Sequence, residues 1–549
     1  MPELNWDVLT SVCGCVRDAP TILSISLASQ TLRAVAVKRL LETQVVVLKD
    51  TRSILSFHRF VTADDMIRLP FVRKLKIDIL PGRLDEDTRA EVIQFLLDIL
   101  QQAAYLESLV LSHPNSTYRE LGCDPRFPEA ITRCSTLKEL AVERWWAPME
   151  EILSNTLSLL KTLRISLDEL PNSHGGRLTP SRIHSLLERI SPTLEVLEVL
   201  GQAVTFVDRD QNNVVFPALR SFEVVSSSQF DWIWAEDMVR MFPALNGTLA
   251  FEGLYHPFQD GDGRIRKRNW ASQLQKTWNS LDRVIGDVDV VDKLGLACPV
   301  RHLMLDGVCK HSKDRVRDIL HHTPPTHLKM SIDLSHGVHI FDGLLPQEVF
   351  PRLTHLVVMF SFCDYSSIII NDDDLADMQT AQWPALLTEV IAALDGARLT
   401  HLRLVVKCSM DLTNYPSVPY SKGFVDDVRN LGEGHEALAS KFMKSFPTLR
   451  YVFLMTTGDR NDDFFPPGVD PPTNESGDYS FLVTQGQWLS SSGWRSVDGI
   501  PERLMSDVVD ELIEAYDLIL TKKDHVSDTR TDILHIILHR ADRPSPSSY

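Results

Sequence analysis

Leu194-Glu195-Val196-Leu197-Glu198-Val199 is the stretch that decides how this chain folds. An apolar residue is followed three positions later by leucine, and two positions after that by a further aliphatic residue. The same phrase recurs as Val72-Leu75-Ile77, Leu106-Leu109-Leu111, Leu137-Leu140-Val142 and Leu160-Leu163-Ile165. It continues as Leu219-Phe222-Val224, Val300-Leu303-Leu305, Leu353-Leu356-Val358, Leu399-Leu402-Leu404 and Leu449-Val452-Leu454. The last two positions are two apart, so in a strand both side chains face the same way. Repetition of one unit sets the architecture before any local motif does.

The flanks complete the unit. A proline stands two residues before Val72, Leu194, Leu219, Leu353 and Leu449. Proline cannot continue a helix, so it separates a helix from the strand that follows. Pro243 before Leu245 obeys the same rule, which predicts a decayed copy over Leu245 to Phe251. Helical apolar spacing precedes many strands: Val92, Phe95, Leu96, Ile99 and Leu100; Ile183, Leu186, Leu187 and Ile190; Leu386, Leu387, Val390, Ile391 and Leu394; Leu438, Phe442 and Met443. Stacked units of this kind give an α/β solenoid, with parallel strands on a concave face and helices outside. The spacing is irregular, with Thr326-His327-Leu328-Lys329-Met330 as a partial copy in one gap. The residues after Ile77, Leu111 and Val142 carry no regular Asn or Cys ladder, so the expected arc is uneven. An ordinary parallel α/β domain is the alternative.

Composition narrows the function. Apolar residues make up 44% of the 549, enough for a substantial core. The net charge of -18 speaks against nucleic acid as the main partner and against an anionic membrane surface. No apolar run reaches the roughly 20 residues of a membrane helix. Met1-Pro2-Glu3-Leu4-Asn5-Trp6-Asp7 has neither a basic start nor an apolar core, so no secretion signal is expected. The 8 cysteines are too few for a disulfide framework in a chain this long, which suits the reducing cytoplasm or nucleus.

The beginning of the chain differs from the rest. Leu4, Val8, Leu9 and Val12 lie at helical spacing, Asp18-Ala19-Pro20-Thr21 starts a second helix, and Leu32-Arg33-Ala34-Val35-Ala36 runs on to Leu40-Leu41. These helices are too short to be stable alone and must pack on something. Leu4-Asn5-Trp6-Asp7-Val8-Leu9, Pro20-Thr21-Ile22-Leu23-Ser24-Ile25-Ser26-Leu27-Ala28 and Leu32-Arg33-Ala34-Val35-Ala36 resemble an F-box. The whole chain resembles the F-box proteins with degenerate leucine-rich repeats found in mushroom-forming fungi. That family opens on Leu-Pro, where Asn5 stands here, and commonly has Cys where Ala28 stands. The resemblance implies a fold of a small N-terminal helical F-box-like bundle over 1–50 and an irregular leucine-rich-repeat solenoid over 51–457. An acidic, proline-rich loop over 458–480 and a C-terminal cap with a helix and polar tail over 481–549 follow. It also implies that Leu4, Val8, Leu9, Leu23 and Leu27 form or support a surface for a Skp-type adaptor, and through it a cullin. A bundle that merely caps the solenoid is the plainer reading.

No catalytic or metal motif is complete. Cys13-Gly14-Cys15 has one residue between its thiols, too few for a zinc pair. His435-Glu436-Ala437-Leu438-Ala439 lacks the second histidine of a zinc-protease helix. Asp260-Gly261-Asp262-Gly263 starts like a calcium loop but has Ile265 where glycine is needed. No Walker loop or nucleophile elbow is present. Neither a catalytic residue nor a cofactor is expected. Arg264-Ile265-Arg266-Lys267-Arg268-Asn269-Trp270 is read as the solvated entry to a helix carrying Trp270, Leu274, Leu281 and Ile285. Asn371-Asp372-Asp373-Asp374 and Asp459 to Pro472 read as acidic loops.

The residues alternating with the strand leucines change character. Early strands offer Lys74, Lys76, Asp78, Glu139, Glu143 and Arg164, whereas late ones offer Val357, Met359, Val405, Tyr451, Phe453 and Met455. Apolar and aromatic side chains are typical anchors, so the late half is the expected target-binding face. A helix carrying Leu504, Val508, Leu512 and Leu518 could instead cover it. His302, His327, His355 and His401 each precede the strand leucine, which predicts imidazoles on neighbouring strands about 4.8 Å apart. On an open face they would charge near pH 6.5 and gate binding. The expected function is the substrate-recognition subunit of an SCF-type ubiquitin ligase. A non-catalytic repeat scaffold without ligase assembly is the alternative.

Overall fold

The computed structural model describes residues 5–519 except 17, 63–67, 80–81, 83, 85, 122, 144–147, 157–158, 167–185, 201–213, 226–233, 253–262, 335–338, 363–380, 411–421 and 461–487. Two compact units emerge, Met1–Leu281 with Lys293–Gly295, and Asp282–Asp292 with Leu296–Tyr549.

The first unit begins with α1 (Trp6–Cys15), α2 (Ala19–Ala28) and α3 (Gln30–Thr43). Each helix starts on a side chain that accepts a backbone N–H. Asn5 Oδ1 takes that of Asp7 at 2.9 Å, Asp18 Oδ2 that of Thr21 at 2.9 Å, and Ser29 Oγ that of Leu32 at 3.4 Å. Such caps satisfy donors the helix cannot. Cys13, Ile22 and Ala36 are fully buried and pack with Val16, Ile25, Val35 and Leu40, so the three helices have a core of their own. Cys13 is thus a packing residue of α1.

Strands follow: β1 (Val45–Leu48), β2 (Lys74–Ile77), β3 (Ser108–Leu111), β4 (Glu139–Val142), β5 (Thr162–Ser166), β6 (Val196–Leu200), β7 (Ser221–Val225) and β8 (Thr248–Glu252). They lie side by side in chain order, and each pairing between neighbours is parallel. The phrase sets the register. Leu75 pairs with Leu109, then Leu140, Leu163, Leu197, Phe222 and Leu249 in succession. A one-residue slip would turn all of them outward, so burial of one side fixes the pairing. The expected decayed copy after Pro243 is β8. The strand array also starts earlier than residue 51: Val45–Leu48 already pairs with β2.

The second unit contains β9 (Leu281–Asp287), apart from its first residue, then β10 (Val300–Val308), β11 (His327–Asp333), β12 (His355–Phe362), β13 (His401–Met410) and β14 (Tyr451–Arg460). Pairing from β10 to β14 is parallel, with Leu303, Leu328, Leu356, Leu402 and Val452 aligned. The partial copy at Thr326 is a full strand. β9 corrects an expectation: the helix entered at Arg264 ends at Gln275, and Leu281 and Ile285 lie on a strand.

The proline stops work locally. Pro70 sits in a 3-10 turn, Leu69–Phe71, and the Val72 N–H closes it on Leu69 O at 3.0 Å. Leu353 and Leu449 enter their strands through similar bonds to Val349 O and Phe446 O at 3.1 and 2.9 Å. Among the helices between strands, Arg89–Gln102 buries Val92, Leu96, Leu97, Ile99 and Leu100, and Lys422–Ser445 carries buried Leu438, Phe442 and Met443.

The parallel run ends at β14. β15 (Trp488–Val497) and β16 (Ile500–Arg503) add an antiparallel hairpin. Its turn is Asp498-Gly499, both at positive φ, the geometry that suits a two-residue hairpin. Gly458 lies where β13, β14 and β15 meet, paired with Cys408 and Trp488. A Cβ there would collide with Cys408 O and the Trp488 ring. Gly458→Ala is expected to cost about 1–3 kcal/mol, as overpacking does. An unchanged urea midpoint would show that the strands part freely at this point.

Candidate functional site

The candidate adaptor residues fall on the outside of the N-terminal bundle. Val8 is 54% exposed, Leu23 47% and Leu27 87%. Trp6 and Val12 are exposed too, whereas Leu9 is half-buried and Leu4 lies outside the described residues. Val8 and Val12 are one turn apart on α1, and Leu23 and Leu27 one turn apart on α2. Apolar side chains therefore line the bundle's exterior although it has a core.

On the early strands Lys74, Lys76, Asp78, Glu139, Glu143 and Arg164 stay at least partly in solvent, whereas Glu198 is buried. Lys76 Nζ lies 3.6 Å from Glu143 Oε1, and Arg164 Nε 2.8 Å from Glu198 Oε2. The late strands differ from expectation. Val357, Met359, Val405, Phe453 and Met455 are buried, in one cluster with Val509 and Leu518, and Tyr451 packs against it half-buried. The cover is the C-terminal helix, Ser506–Ala515, with Leu504, Leu512, Ile513 and Tyr516 at the same contact. The expected open anchor surface is thus closed, because the segment carrying Leu504 and Leu512 folds back onto it.

Beside this cluster the histidines form a ladder. Register pairs His302 with His327, His327 with His355, His355 with His401, and His401 with Tyr451. Successive imidazole centroids are 4.1, 3.9 and 4.2 Å apart, and the Tyr451 ring follows at 5.1 Å. Tyr516 from the C-terminal segment closes on His401 at 4.1 Å.

A second ladder orients the first. Thr326, Thr354 and Thr400 hydroxyls lie 2.9, 2.8 and 2.9 Å from Nδ1 of His327, His355 and His401. Each hydroxyl also donates to a carbonyl at the entry of the preceding strand: Arg301 O at 3.1 Å, Thr326 O at 3.2 Å and Thr354 O at 3.0 Å. A hydroxyl has one proton. With that proton on the carbonyl, Nδ1–H must be the donor to the threonine. Neutral rings so held leave Nε2 to take the next proton.

Burial holds these rings neutral. It pushes His327 and His401 down to about 3, with like charge on neighbouring imidazoles adding to it. His355 falls to about 4 through burial, opposed by Asp517. His302 is lowered by burial and by Arg301, against Asp517 and Asp282. Charging near pH 6.5, expected of an open face, is therefore displaced to acid.

Three cations complete the covered face. Asp517 follows the C-terminal helix, and its Oδ2 accepts from Arg283 Nη2 at 2.6 Å. Its Oδ1 accepts from Lys329 Nζ at 3.1 Å, and the carboxylate lies 3.7 Å from His302 Nδ1. Lys329 also donates to Ile519 O at 2.8 Å, and Arg403 to Leu518 O at 2.7 Å. Burial lowers Arg403 to about 10, which leaves it a cation at neutral pH. The face thus reads a carboxylate and two backbone carbonyls beside an apolar patch.

His435, on the helix Lys422–Ser445, is buried with Nδ1 2.6 Å from Ser492 Oγ on β15. This is interior packing with a hydrogen bond. Arg268 in the basic cluster lies over the Trp234 ring at 3.9 Å. The stretches Asn371–Asp374 and 461–480 lie outside the described residues, as do 260–262 of the calcium-like segment.

Reading the sequence missed Thr326, Thr354, Thr400, Lys329, Arg403, Arg283, Tyr516 and Asp517. One signal was available: the tripeptide Thr-His-Leu occurs at 326–328, 354–356 and 400–402. No protein-family model and no curated protein matches the chain. No helix among the described residues is long and apolar enough to cross a membrane.

Proposed function

We propose that this chain is the substrate-recognition subunit of an SCF-type ubiquitin ligase. In this reading α1 and α2 engage a Skp-type adaptor, and through it a cullin. The strand–helix units are degenerate leucine-rich repeats that hold a target protein. Such a receptor needs no catalytic residue, since it works by raising the effective concentration of the target at the transfer centre. It would act in the cytoplasm or nucleus.

One observation carries the reading. A three-helix bundle with its own core still carries Val8, Leu23 and Leu27 on its outside, ahead of a long parallel strand array. Exposed apolar side chains one turn apart, as Leu23 and Leu27 are on α2, suit an interaction surface. Asn5 fits this arrangement, because as the cap of α1 it replaces the role a helix-starting proline would play.

Co-purification with a Skp-type adaptor tests it. The unmodified chain should capture the adaptor. The double variant Leu23→Asp, Leu27→Asp should lose capture while its unfolding free energy changes by about 0.5 kcal/mol or less, as for surface positions. Failure of the unmodified chain to capture any adaptor would leave a repeat scaffold without ligase assembly.

A further inference from the structure

We propose that the covered sheet face of the second unit is a docking surface for a partner's amphipathic helix that ends in an acidic residue, and that the C-terminal helix occupies it as a built-in stand-in. This deepens the target-binding part of the reading above and rests on it for the partner being a target. The helix Ser506–Ala515 closes with a double-bonded cap. Leu518 N–H donates to Ile513 O at 2.8 Å, and Asp517 N–H to Glu514 O at 3.1 Å. Asp517 thereby sits at the left-handed position, φ 51, where glycine is usual. An aspartate there costs backbone energy that glycine would not. What it supplies is the carboxylate on Arg283 and Lys329.

The receiving side is equally telling. Lys329 is 6% exposed and Arg403 9%, both on a face whose other members are Val357, Met359, Val405 and Phe453. Under a permanent cover, apolar residues of similar size serve at least as well as buried ions. Lys329 and Arg403 instead donate to Ile519 O and Leu518 O, carbonyls just past the end of a helix. The face is complementary to the C-terminal end of any helix with that cap. The resident helix has ten residues and only Val509 fully buried within it, so it depends on these few contacts to stay helical. An incoming helix with the same apolar spacing and a carboxylate at its end would make the same contacts.

The test uses the full chain and two dye-labelled peptides read by fluorescence anisotropy. One peptide has the sequence of residues 504–520. The other keeps only the apolar residues matching Val509, Leu512, Ile513, Tyr516 and Leu518, the Asp matching Asp517, and otherwise unrelated helix-forming residues. In an Asp517→Lys chain the resident anchor meets Arg283 and Lys329 as like charges. That chain should bind both peptides at least about tenfold tighter than the unmodified chain, the scale of one charge-assisted contact. Changing the peptide's own Asp to Lys should abolish binding. Equal binding by the two chains would overturn the proposal, as would binding of the first peptide alone, which would mean a private strap. If Asp517→Lys does not fold, hydrogen exchange of Ser506–Ala515 in the unmodified chain decides. Excess peptide should accelerate it, and unchanged exchange at saturation would overturn displacement. Adaptor capture without peptide binding would sink this inference alone. Peptide binding without adaptor capture would sink the ligase reading and leave the docking face standing.

Discussion

Acidification from about pH 7.5 to about pH 5.5 is expected to remove about 5 kcal/mol of the stability of the second unit through the histidine ladder alone. The ladder rings stay neutral when folded, with His327 and His401 held near 3 and His355 near 4. Unfolded imidazoles titrate near 6.5. The folded values are depressed, so the stability is fully present above pH 6.5. It is lost as the pH falls from there toward the folded values, because the unfolded chain takes up protons that the folded one refuses. At pH 5.5 each ring has forfeited about 1.4 kcal/mol, and four rings give the total. Most domains have 5–15 kcal/mol to lose, so the effect approaches unfolding.

The surroundings fix the sign. Arg301, Arg283, Lys329 and Arg450 face the ladder and oppose a proton on it, whereas Asp282 and Asp517 favour one. Tyr451 and Tyr516 close the far end and add burial. His435, held near 4, adds a loss of the same sign, about that of one ladder ring. Denaturant titrations at the two pH values measure the effect. In a His355→Phe, His401→Phe chain the aromatic stack persists without two of its titrating groups, and about half of the loss should disappear. An undiminished loss in that variant would assign the acid sensitivity elsewhere.

The residues explain how far the sequence carried. Strands β2 to β7 and β10 to β14 were legible because a leucine or its equivalent recurs at each buried centre and proline marks the entry of five of them. β9 was misread because Leu281 and Ile285 are four apart, a helical interval, while the residues its strand buries are Leu281, Val284 and Gly286. The hairpin of β15 and β16 has a serine-rich first strand, and only Asp498-Gly499 announced it. The N-terminal helices were legible because capping residues and apolar spacing act within a few residues of each other. The late face was legible only as two alternatives, open or covered by the C-terminal helix, of which the second is observed. Alternation assigns Val357 and Phe453 to one side of a strand but is silent on what lands there, since Val509 and Leu518 arrive from far along the chain. The histidines were visible one at a time. Their chemistry depended on Tyr516 and Asp517 shutting out water, and no local pattern encodes that.

Phe453→Ala separates the open face from the covered one by a wide margin. On an open sheet an exposed phenylalanine is a surface residue, and truncating it changes stability by about 0.5 kcal/mol or less. Here Phe453 is 1% exposed beneath the C-terminal segment. Its ring fits because Gly493 on the neighbouring strand has no Cβ, which would lie 3.0 Å from Phe453 Cδ1 and 2.7 Å from Val509 Cγ2. Removing the ring opens a cavity roofed by Val509, and nearby atoms cannot fill it without shifting the helix. The expected cost is about 3–5 kcal/mol, the range for buried phenylalanine truncations. The urea midpoint should fall accordingly, and hydrogen exchange should accelerate in Ser506–Ala515, since that helix loses the surface it stands on. A cost under about 1 kcal/mol with unchanged exchange would mean that the helix spends little time on the face. In that case Phe453 is available to a partner without any displacement, and the carboxylate of Asp517 has no hold to release.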